Sequence, residues 1–293
     1  ILVLFGSALF LSALLLFAVQ PMFTKMVLPM LGGSPGVWNT AMLFFQTVLL
    51  AGYAYAHLSS RMIGLRPQVI LHLFVMGAAF GALPIAVAAG WTPPPGDAPV
   101  YWLIGLFAVS VGLPFFAVSA NAPLLQKWFA HTGHHSSDDP YFLYGASNLG
   151  SILALLAYPV VIEPVLRLQE QSLWWMVGFG FLIVPIAFSG GALWRYRGAD
   201  QSDAAAVATK PPLAAEPVTW RRRLHWLVLA FAPSSLLLGV TAHITTDVAS
   251  VPLLWVIPLA LYLLTFVIVF ARRPWLRQAW MVKAQPFVVI PIT

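Results

Sequence analysis

The sequence predicts an all-α, polytopic membrane protein. Hydrophobic residues make up 60% of the 293 residues and charged residues only 8%, whereas an ordinary soluble domain is about a quarter charged. Apolar runs long enough to cross a bilayer core, about 20 residues each, recur along the chain. Because every backbone amide in lipid must be bonded within its own segment, we expect these runs to be helices.

Eight runs have the required length, and a ninth begins near residue 279, so we expect about 8–9 transmembrane helices. Prolines inside the runs predict kinks, and tryptophans near their ends predict an interfacial aromatic belt. The runs cover residues 1–20, 37–59, 67–90, 100–126, 141–162, 172–194, 224–245 and 250–271. The prolines are at 84, 114, 123, 159, 185, 233 and 258, and the tryptophans at 91, 102, 128, 174, 194, 220 and 275.

The distribution of Lys and Arg predicts the orientation. By the positive-inside rule, the loops rich in these residues are cytoplasmic. The odd-numbered loops hold only Lys25 and Arg167, and Lys283 falls in the ninth run. All other basic residues lie in the even-numbered loops, which predicts that those loops and the N-terminus are cytoplasmic. These residues are Arg61, Arg66, Lys127, Arg195, Arg197, Lys210, Arg221, Arg222, Arg223, Arg272, Arg273 and Arg277.

The domain organisation follows from one polar stretch. Residues 195–223 are Ala/Pro-rich, lack apolar periodicity and predict a flexible cytoplasmic linker. Residues 1–194 would form a first six-helix bundle, and residues 224–293 the start of a second. This layout is that of major-facilitator transporters, built from two parallel repeats. Because the chain begins at Ile1 and stops within the apolar run FVVIPIT, we expect a truncated segment of a longer protein.

Three stretches carry a family resemblance: LFLSALLLFAVQPMFTKMVLPMLGGSPGVWNTAMLFFQTVLLAGYAYAH, ANAPLLQKWFAHTGHHSSDDPYFLYGASNLGSILALLAYPVVIEP and TTDVASVPLLWVIPLALYLLTFVIVF. Together they resemble the membrane portion of bacterial proteins in which a major-facilitator-like domain is fused to a spermidine-synthase-like domain. The resemblance implies a multi-pass protein of the bacterial inner membrane. No strand–Gly-loop–helix unit is present, so we expect this segment to be non-catalytic and to bind no cofactor.

Polar residues inside the runs are candidate substrate-binding residues, because they are costly in lipid. Gln20, Asn39 and Gln46 flank the first outer loop and predict a polar wall between the first two helices. Capping of helix ends by Gln20 and Asn39, with Lys25 extending to the headgroups, is the structural alternative. Asn121 and Asn148 predict a hydrogen bond between the fourth and fifth runs, or simple helix packing.

Further candidates lie at the predicted outer ends. His243 and Asp247 are four residues apart, which predicts a pH-sensitive pair on one helical face. With Glu163, Asp247 would attract a polyamine or another cation, unless both are ordinary water-exposed acids. Small residues with small-xxx-small spacing predict close helix packing. These are Gly77, Gly81, Ala146 and Gly150.

Two other patterns predict a ligand site less well. HTGHHSSDDP, residues 131–140, holds metal-ligand types without helical spacing or cysteine. PMLGGSPGVWNT lacks the preceding strand and following Lys of a phosphate loop. It predicts a sharp turn, with Ser34 and Pro35 starting the second helix. His57, His72 and His225 are not spaced to show a haem or pigment.

Three functions remain open from the sequence. The first is a transporter-like domain for a polyamine or another small cationic or amphipathic solute. The second is a non-catalytic accessory subunit of a larger membrane complex, for example photosynthetic or respiratory. The third is an anchor for a fused enzyme domain. The expected partners are the bilayer and other membrane subunits. No nucleic acid is expected as a partner. The net charge of +6 comes from Lys and Arg residues whose positions follow the predicted membrane orientation.

Overall fold

The computed structural model describes residues 1–31, 35–93, 99–132, 142–196, 219–243 and 256–269, with single positions between 280 and 287. Within these ranges every regular element is helical. The helices are α1 Leu2–Val27, α2 Pro35–Met62, α3 Leu65–Gly81, α4 Pro99–Phe107, α5 Leu113–Ala130, α6 Phe142–Ala157, α7 Glu163–Val165, α8 Leu168–Tyr196, α9 Trp220–His243 and α10 Val256–Val269.

These helices form a membrane-type bundle, as the composition predicts. In the part of the chain that the structure describes, six helical segments are long and apolar enough to cross a membrane, and α3 and the segment Val256–Thr265 are shorter apolar helices. The six are Leu2–Leu31, Gly36–Met62, Val100–Ala130, Leu143–Val165, Leu168–Trp194 and Trp220–Thr241. The second helix begins at Pro35, where the fixed φ of proline favours a first helical turn. Ser34, its predicted cap, lies outside the described residues.

Helix α1 lies at the centre of the bundle. It packs against α6, α8 and α5, and Phe5, Leu9, Val19 and Phe23 are fully buried. A helix that is apolar around its whole circumference can pack against other helices on some sides and face lipid on others. The ring of Phe23 meets Phe107 edge-on, with centroids 4.8 Å apart.

The two predicted small-residue patterns have different surroundings in the structure. A Cβ at Gly150 would overlap the backbone carbonyl of Phe10, so α6 approaches α1 more closely than any larger residue permits. Gly77 and Gly81 instead face outward, and a Cβ at either would meet nothing within 4 Å. The reason is that α3 buries the opposite face, on which His72, Met76 and Ala79 follow helical spacing.

The third predicted span is shorter than expected, because α3 ends at Gly81 rather than near residue 90. Pro84 cannot donate a helical hydrogen bond and disfavours helical geometry in the residue before it. The following backbone is bonded to neighbours: the Ser172 hydroxyl donates to the Ile85 carbonyl at 2.6 Å. The Ala88 amide donates to Ser110 Oγ at 3.1 Å. Irregular backbone at membrane depth requires such internal partners.

Trp128 was predicted to lie in the aromatic belt, but the structure buries it completely. Its indole Nε1 donates to Gln68 Oε1 at 3.1 Å, and this internal acceptor removes the need for an interfacial position. Trp174, Trp194 and Trp220 are exposed, as a belt requires. Trp275 lies outside the described residues.

Candidate functional site

A cavity of about 1060 Å³ lies between helices that precede the predicted linker at residues 195–223 and helices that follow it. Residues of α1, α2, α5 and α6 form its walls on one side, and residues of α9 and α10 form the other. Most of the lining is apolar. The polar side chains among the described lining residues are Ser12, Gln20, Thr24, Asn39, Gln46, Tyr53, Ser119, Gln126, Tyr144, Ser147, Asn148, Ser151, Ser234, Thr241 and Tyr262, with the indole of Trp38.

Helix α1 contributes one polar stripe. Ser12, Leu16, Gln20 and Thr24 are spaced every four residues and all line the cavity, because this spacing brings side chains to one helical face. The Thr24 hydroxyl donates to the Gln20 carbonyl at 2.7 Å, and Gln20 Nε2 donates to the Leu16 carbonyl at 3.2 Å. Gln20 therefore lies inside α1 and caps no helix end.

Helix α2 contributes three polar side chains at regular intervals. Asn39, Gln46 and Tyr53 line the cavity and are seven residues apart. Seven residues are close to two helical turns, or about 10 Å along the axis. Asn39 lies within α2 rather than at its end, so it does not cap the helix either. The wall therefore offers hydrogen-bonding groups along its length.

Helix α6 presents a polar group without a partner. Asn148 lines the cavity, and its Nδ2 atom is buried with no hydrogen-bond partner in the described structure. The neighbouring Ser151 hydroxyl is satisfied by the Ser147 carbonyl at 3.0 Å. The surrounding protein covers this Nδ2 atom, so the cavity meets other atoms of the Asn148 side chain.

The described lining of the cavity carries no formal charge. No Asp, Glu, Lys, Arg or His appears among these lining residues. The nearest charged residue along α1, Lys25, forms an ion pair with Glu163. This contact brings the end of α1 and α7 to the same end of the bundle. Glu163 is therefore already neutralised by Lys25 rather than presented to a solute.

A second polar cluster lies behind the cavity wall, at the junction of α1, α3 and α5. His72 Nε2 lies 2.7 Å from Asn121 Oδ1, and Asn121 Nδ2 donates to Ser12 Oγ at 2.9 Å. The hydrogen bond predicted between Asn121 and Asn148 is not formed: Asn121 bonds with His72 and Ser12, and Asn148 Nδ2 has no partner in the described structure. Only Ser12 belongs both to this cluster and to the cavity lining.

Sequence reasoning did not single out the neighbouring buried residue Gln68, and it considered His72 only as a haem or pigment ligand. Gln68 Nε2 donates to Ser59 Oγ at 2.8 Å and to Ser60 Oγ at 2.7 Å, which ties α3 to α2. Both residues are fully buried. A signal was present: two polar residues at i and i+4 within an apolar run share a helical face and are costly in lipid.

The remaining candidates do not join the cavity in the described structure. His243 ends α9, is exposed and is not among the lining residues. Asp247 and residues 133–140 of the His/Asp-rich loop lie outside the described residues. His57 and His225 are exposed. In the part of the chain that is described, no group of three His, Cys, Asp or Glu residues is placed to hold a metal ion.

The chain was compared with family models, curated proteins and solved structures. No family model matches it, and no curated protein or solved structure is significantly similar to it.

Proposed function

We propose that this chain is a transporter-like membrane domain that binds a small amphipathic solute in the cavity between its first bundle and helices α9 and α10. The observation that carries the proposal is the position and composition of the cavity. In transporters built from repeats, the substrate site lies near the membrane midplane at the repeat interface. The predicted linker separates the two sets of helices that line this cavity.

The size and lining of the cavity support a small-molecule ligand. Ligand pockets have volumes of roughly 300–1,000 Å³ and are mostly apolar, with a few polar groups that orient the ligand. The cavity volume of about 1060 Å³ is just above the upper end of this range. The polar groups from α1, α2 and α6 are distributed along its walls.

A polyamine is the first solute to test, because the family resemblance suggests it. A cation in this cavity would depend on aromatic faces rather than carboxylates among the described lining. Trp38, Tyr53, Tyr144 and Tyr262 supply such faces, and a cation above an aromatic ring is attracted by about 0.5–2 kcal/mol. The predicted acid Asp247 would add an attractive charge at the outer end.

Uptake of labelled spermidine and other solutes into proteoliposomes tests the transporter proposal. The matched variants are Ala122→Trp, which fills the cavity, and Gly77→Trp, which faces outward from α3. We expect uptake by the natural chain and by Gly77→Trp, and loss of uptake in Ala122→Trp. Equal uptake by both variants, or no uptake of any solute by correctly oriented protein, would overturn the proposal.

An accessory subunit is the second candidate, supported by the exposure of α9. Every residue from 220 to 234 is exposed, including Trp226, Leu227 and Phe231. An apolar helix of this kind faces lipid, other subunits or the remainder of the predicted second bundle. Purification in mild detergent tests the subunit: a stable complex with other chains supports it, and a chain that always runs alone contradicts it.

The fused enzyme domain remains a proposal from the resemblance alone. In that case the described helices would also anchor a spermidine-synthase-like domain encoded beyond residue 293. Sequencing the gene past this point is the direct test. A downstream cofactor-binding domain supports the fusion, and a stop codon without such a domain contradicts it.

A further inference from the structure

We infer that Gln46 is a solute-selecting residue near mid-depth of the cavity, and that it binds an uncharged molecule carrying a hydrogen-bond donor beside an acceptor, as a carboxamide or a urea does. This inference rests on the proposed function and narrows its solute class. It separates such a molecule from a polyamine, which is a chain of ammonium groups, and from an organic anion.

The first step concerns the hydroxyl groups of the cavity lining. Several of them donate to a carbonyl three or four residues earlier in their own helix, namely those of Thr24, Ser119, Ser151 and Ser234. Serine and threonine commonly use their proton in this way within helices. These hydroxyls therefore have no proton left to donate to a solute.

The second step concerns the carboxamides of α2, which are not used in this way. Asn39 and Gln46 line the cavity and are exposed, and no hydrogen bond within the described residues engages either side chain. Polar groups that face lipid are costly, so accessible amides are better placed on a cavity wall. A carboxamide offers two N–H donors and an acceptor oxygen, and both kinds of group are free here to meet a solute.

The third step is the depth of Gln46. The residue lies eleven positions after Pro35, at which α2 begins, and eleven residues of helix are about 17 Å long. A hydrocarbon core is about 30 Å thick, so Gln46 lies close to its middle, whereas Asn39 lies about 10 Å nearer to one surface. Transporters built from repeats bind their substrates near the midplane. Gln46 is therefore the carboxamide of α2 that a bound solute meets.

The fourth step is the absence of charge around Gln46. The described lining contains no Asp, Glu, Lys, Arg or His, and Glu163 at the end of the bundle is paired with Lys25. Moving a charged group from water into an apolar site without a partner is strongly unfavourable. A neutral carboxamide avoids this cost. It can also pair with Gln46 through two hydrogen bonds, because each group donates an N–H to the oxygen of the other.

The test measures binding of three matched probes to the purified full chain in nanodiscs. The probes are labelled hexanamide, hexylammonium and hexanoate, which share one alkyl chain and differ in the charge of the polar group. Binding is measured by equilibrium dialysis, with the signal of empty nanodiscs subtracted because the probes also partition into lipid. We expect saturable binding of hexanamide and at least tenfold weaker binding of the two ions.

Variants of α2 test the role of Gln46. Gln46→Leu removes both the donor and the acceptor at similar volume, and we expect about tenfold weaker hexanamide binding. Gln46→Glu keeps the shape but adds a negative charge, so hexylammonium should then bind more tightly than hexanamide. Thr47→Val is the matched control, because Thr47 is not among the lining residues and its hydroxyl donates to the Leu43 carbonyl at 2.8 Å. Its affinities should equal those of the natural chain.

The results distinguish this inference from the proposed function. The inference is wrong if hexanamide does not bind, if either ion binds the natural chain as tightly, or if Gln46→Leu binds hexanamide as tightly as Thr47→Val. The first two outcomes need no variant, so they decide even if Gln46→Leu does not fold. In each case, solute uptake that Ala122→Trp blocks would leave the transporter proposal standing. If no probe binds and no solute is taken up, both fail.

Discussion

His72 Nε2 lies 2.7 Å from Asn121 Oδ1, which joins α3 to α5 across 49 residues of sequence. Asn121 Nδ2 in turn donates to Ser12 Oγ on α1, so the hydrogen bonds connect a third helix. With the amide assigned in this way, His72 donates from Nε2, and its buried Nδ1 has no partner in the described structure. This single carboxamide therefore fixes the relative positions of three helices, two of which, α1 and α5, also form walls of the cavity.

A double-mutant cycle of His72→Ala and Asn121→Ala should show coupling. Interhelical hydrogen bonds within membranes contribute about 0.6 kcal/mol on average and up to about 1.7 kcal/mol. We expect each single change to destabilise the protein, and the double change to cost less than the sum by an energy in this range. Unfolding in mixed micelles measures it. Strictly additive effects would show that the two side chains do not interact.

Trp128→Phe should destabilise the bundle by about 1–3 kcal/mol, because it leaves the buried Gln68 Oε1 without a donor, and the lost ring volume adds to this cost. The substitution keeps an aromatic ring but removes Nε1, which donates to the buried Gln68. Trp174→Phe is the matched control, because Trp174 is 64% exposed. Thermal unfolding in the same detergent compares them. Equal losses in the two variants would contradict the assigned hydrogen bond.

Gly150→Ala should destabilise the packing of α6 on α1. The added methyl group would overlap the Phe10 carbonyl, and overpacking of this kind costs about 1–3 kcal/mol. Gly77→Ala places the same group on the outward face of α3, where we expect no loss and a small gain from helix propensity. Comparison of the unfolding midpoints of Gly150→Ala and Gly77→Ala measures the difference in stability. If Gly150→Ala were as stable as Gly77→Ala, α6 and α1 would have to be farther apart than in this structure.

Reversing the ion pair between Lys25 and Glu163 should restore much of what either single reversal loses. Lys25→Glu alone would oppose two carboxylates, and Glu163→Lys alone would oppose two ammonium groups. The pair is partly exposed, at 19% and 34%, so we expect an effect of about 1 kcal/mol or less that shrinks in high salt. Thermal stability in low and high salt measures it. A double variant no better than the worse single variant speaks against the pair.

Single cysteines should report the predicted orientation, because the natural chain contains no cysteine. Ser34→Cys lies in a predicted outer loop and Ser202→Cys in the predicted cytoplasmic linker. In intact cells, a membrane-impermeant maleimide should label the first, whereas the second should be labelled only after the membrane is opened. The reverse pattern would invert the topology derived from Lys and Arg.

The helical membrane architecture was predictable because it depends on local properties. Run length and hydropathy identify helices, and Pro35 marks the start of α2. Periodicity within one helix also placed Asn39 and Gln46 on a common face. The same reasoning predicted too long a third span, because it treated Pro84 as a kink within a helix. In the structure α3 ends three residues earlier, at Gly81. The backbone that follows Pro84 bonds with Ser110 and Ser172 instead.

Contacts between helices were not predictable in this way. The pattern at Gly77 and Gly81 was as regular as that at Gly150, yet only Gly150 meets another backbone. Spacing shows which residues share a face but not which face a neighbour covers. For the same reason, Asn121 was paired with Asn148 when His72 and Ser12 lay nearer.

The sequence by itself determined that the chain is a bundle of apolar helices and that polar residues such as Gln20 and Asn148 are costly exceptions within it. Only the tertiary structure decided that Gln20, Asn39, Gln46 and Asn148 line one cavity, while Asn121 is committed to a buried network. The physical reason is that hydropathy is a property of each segment, whereas a cavity and its hydrogen bonds depend on how helices distant in sequence are rotated against one another.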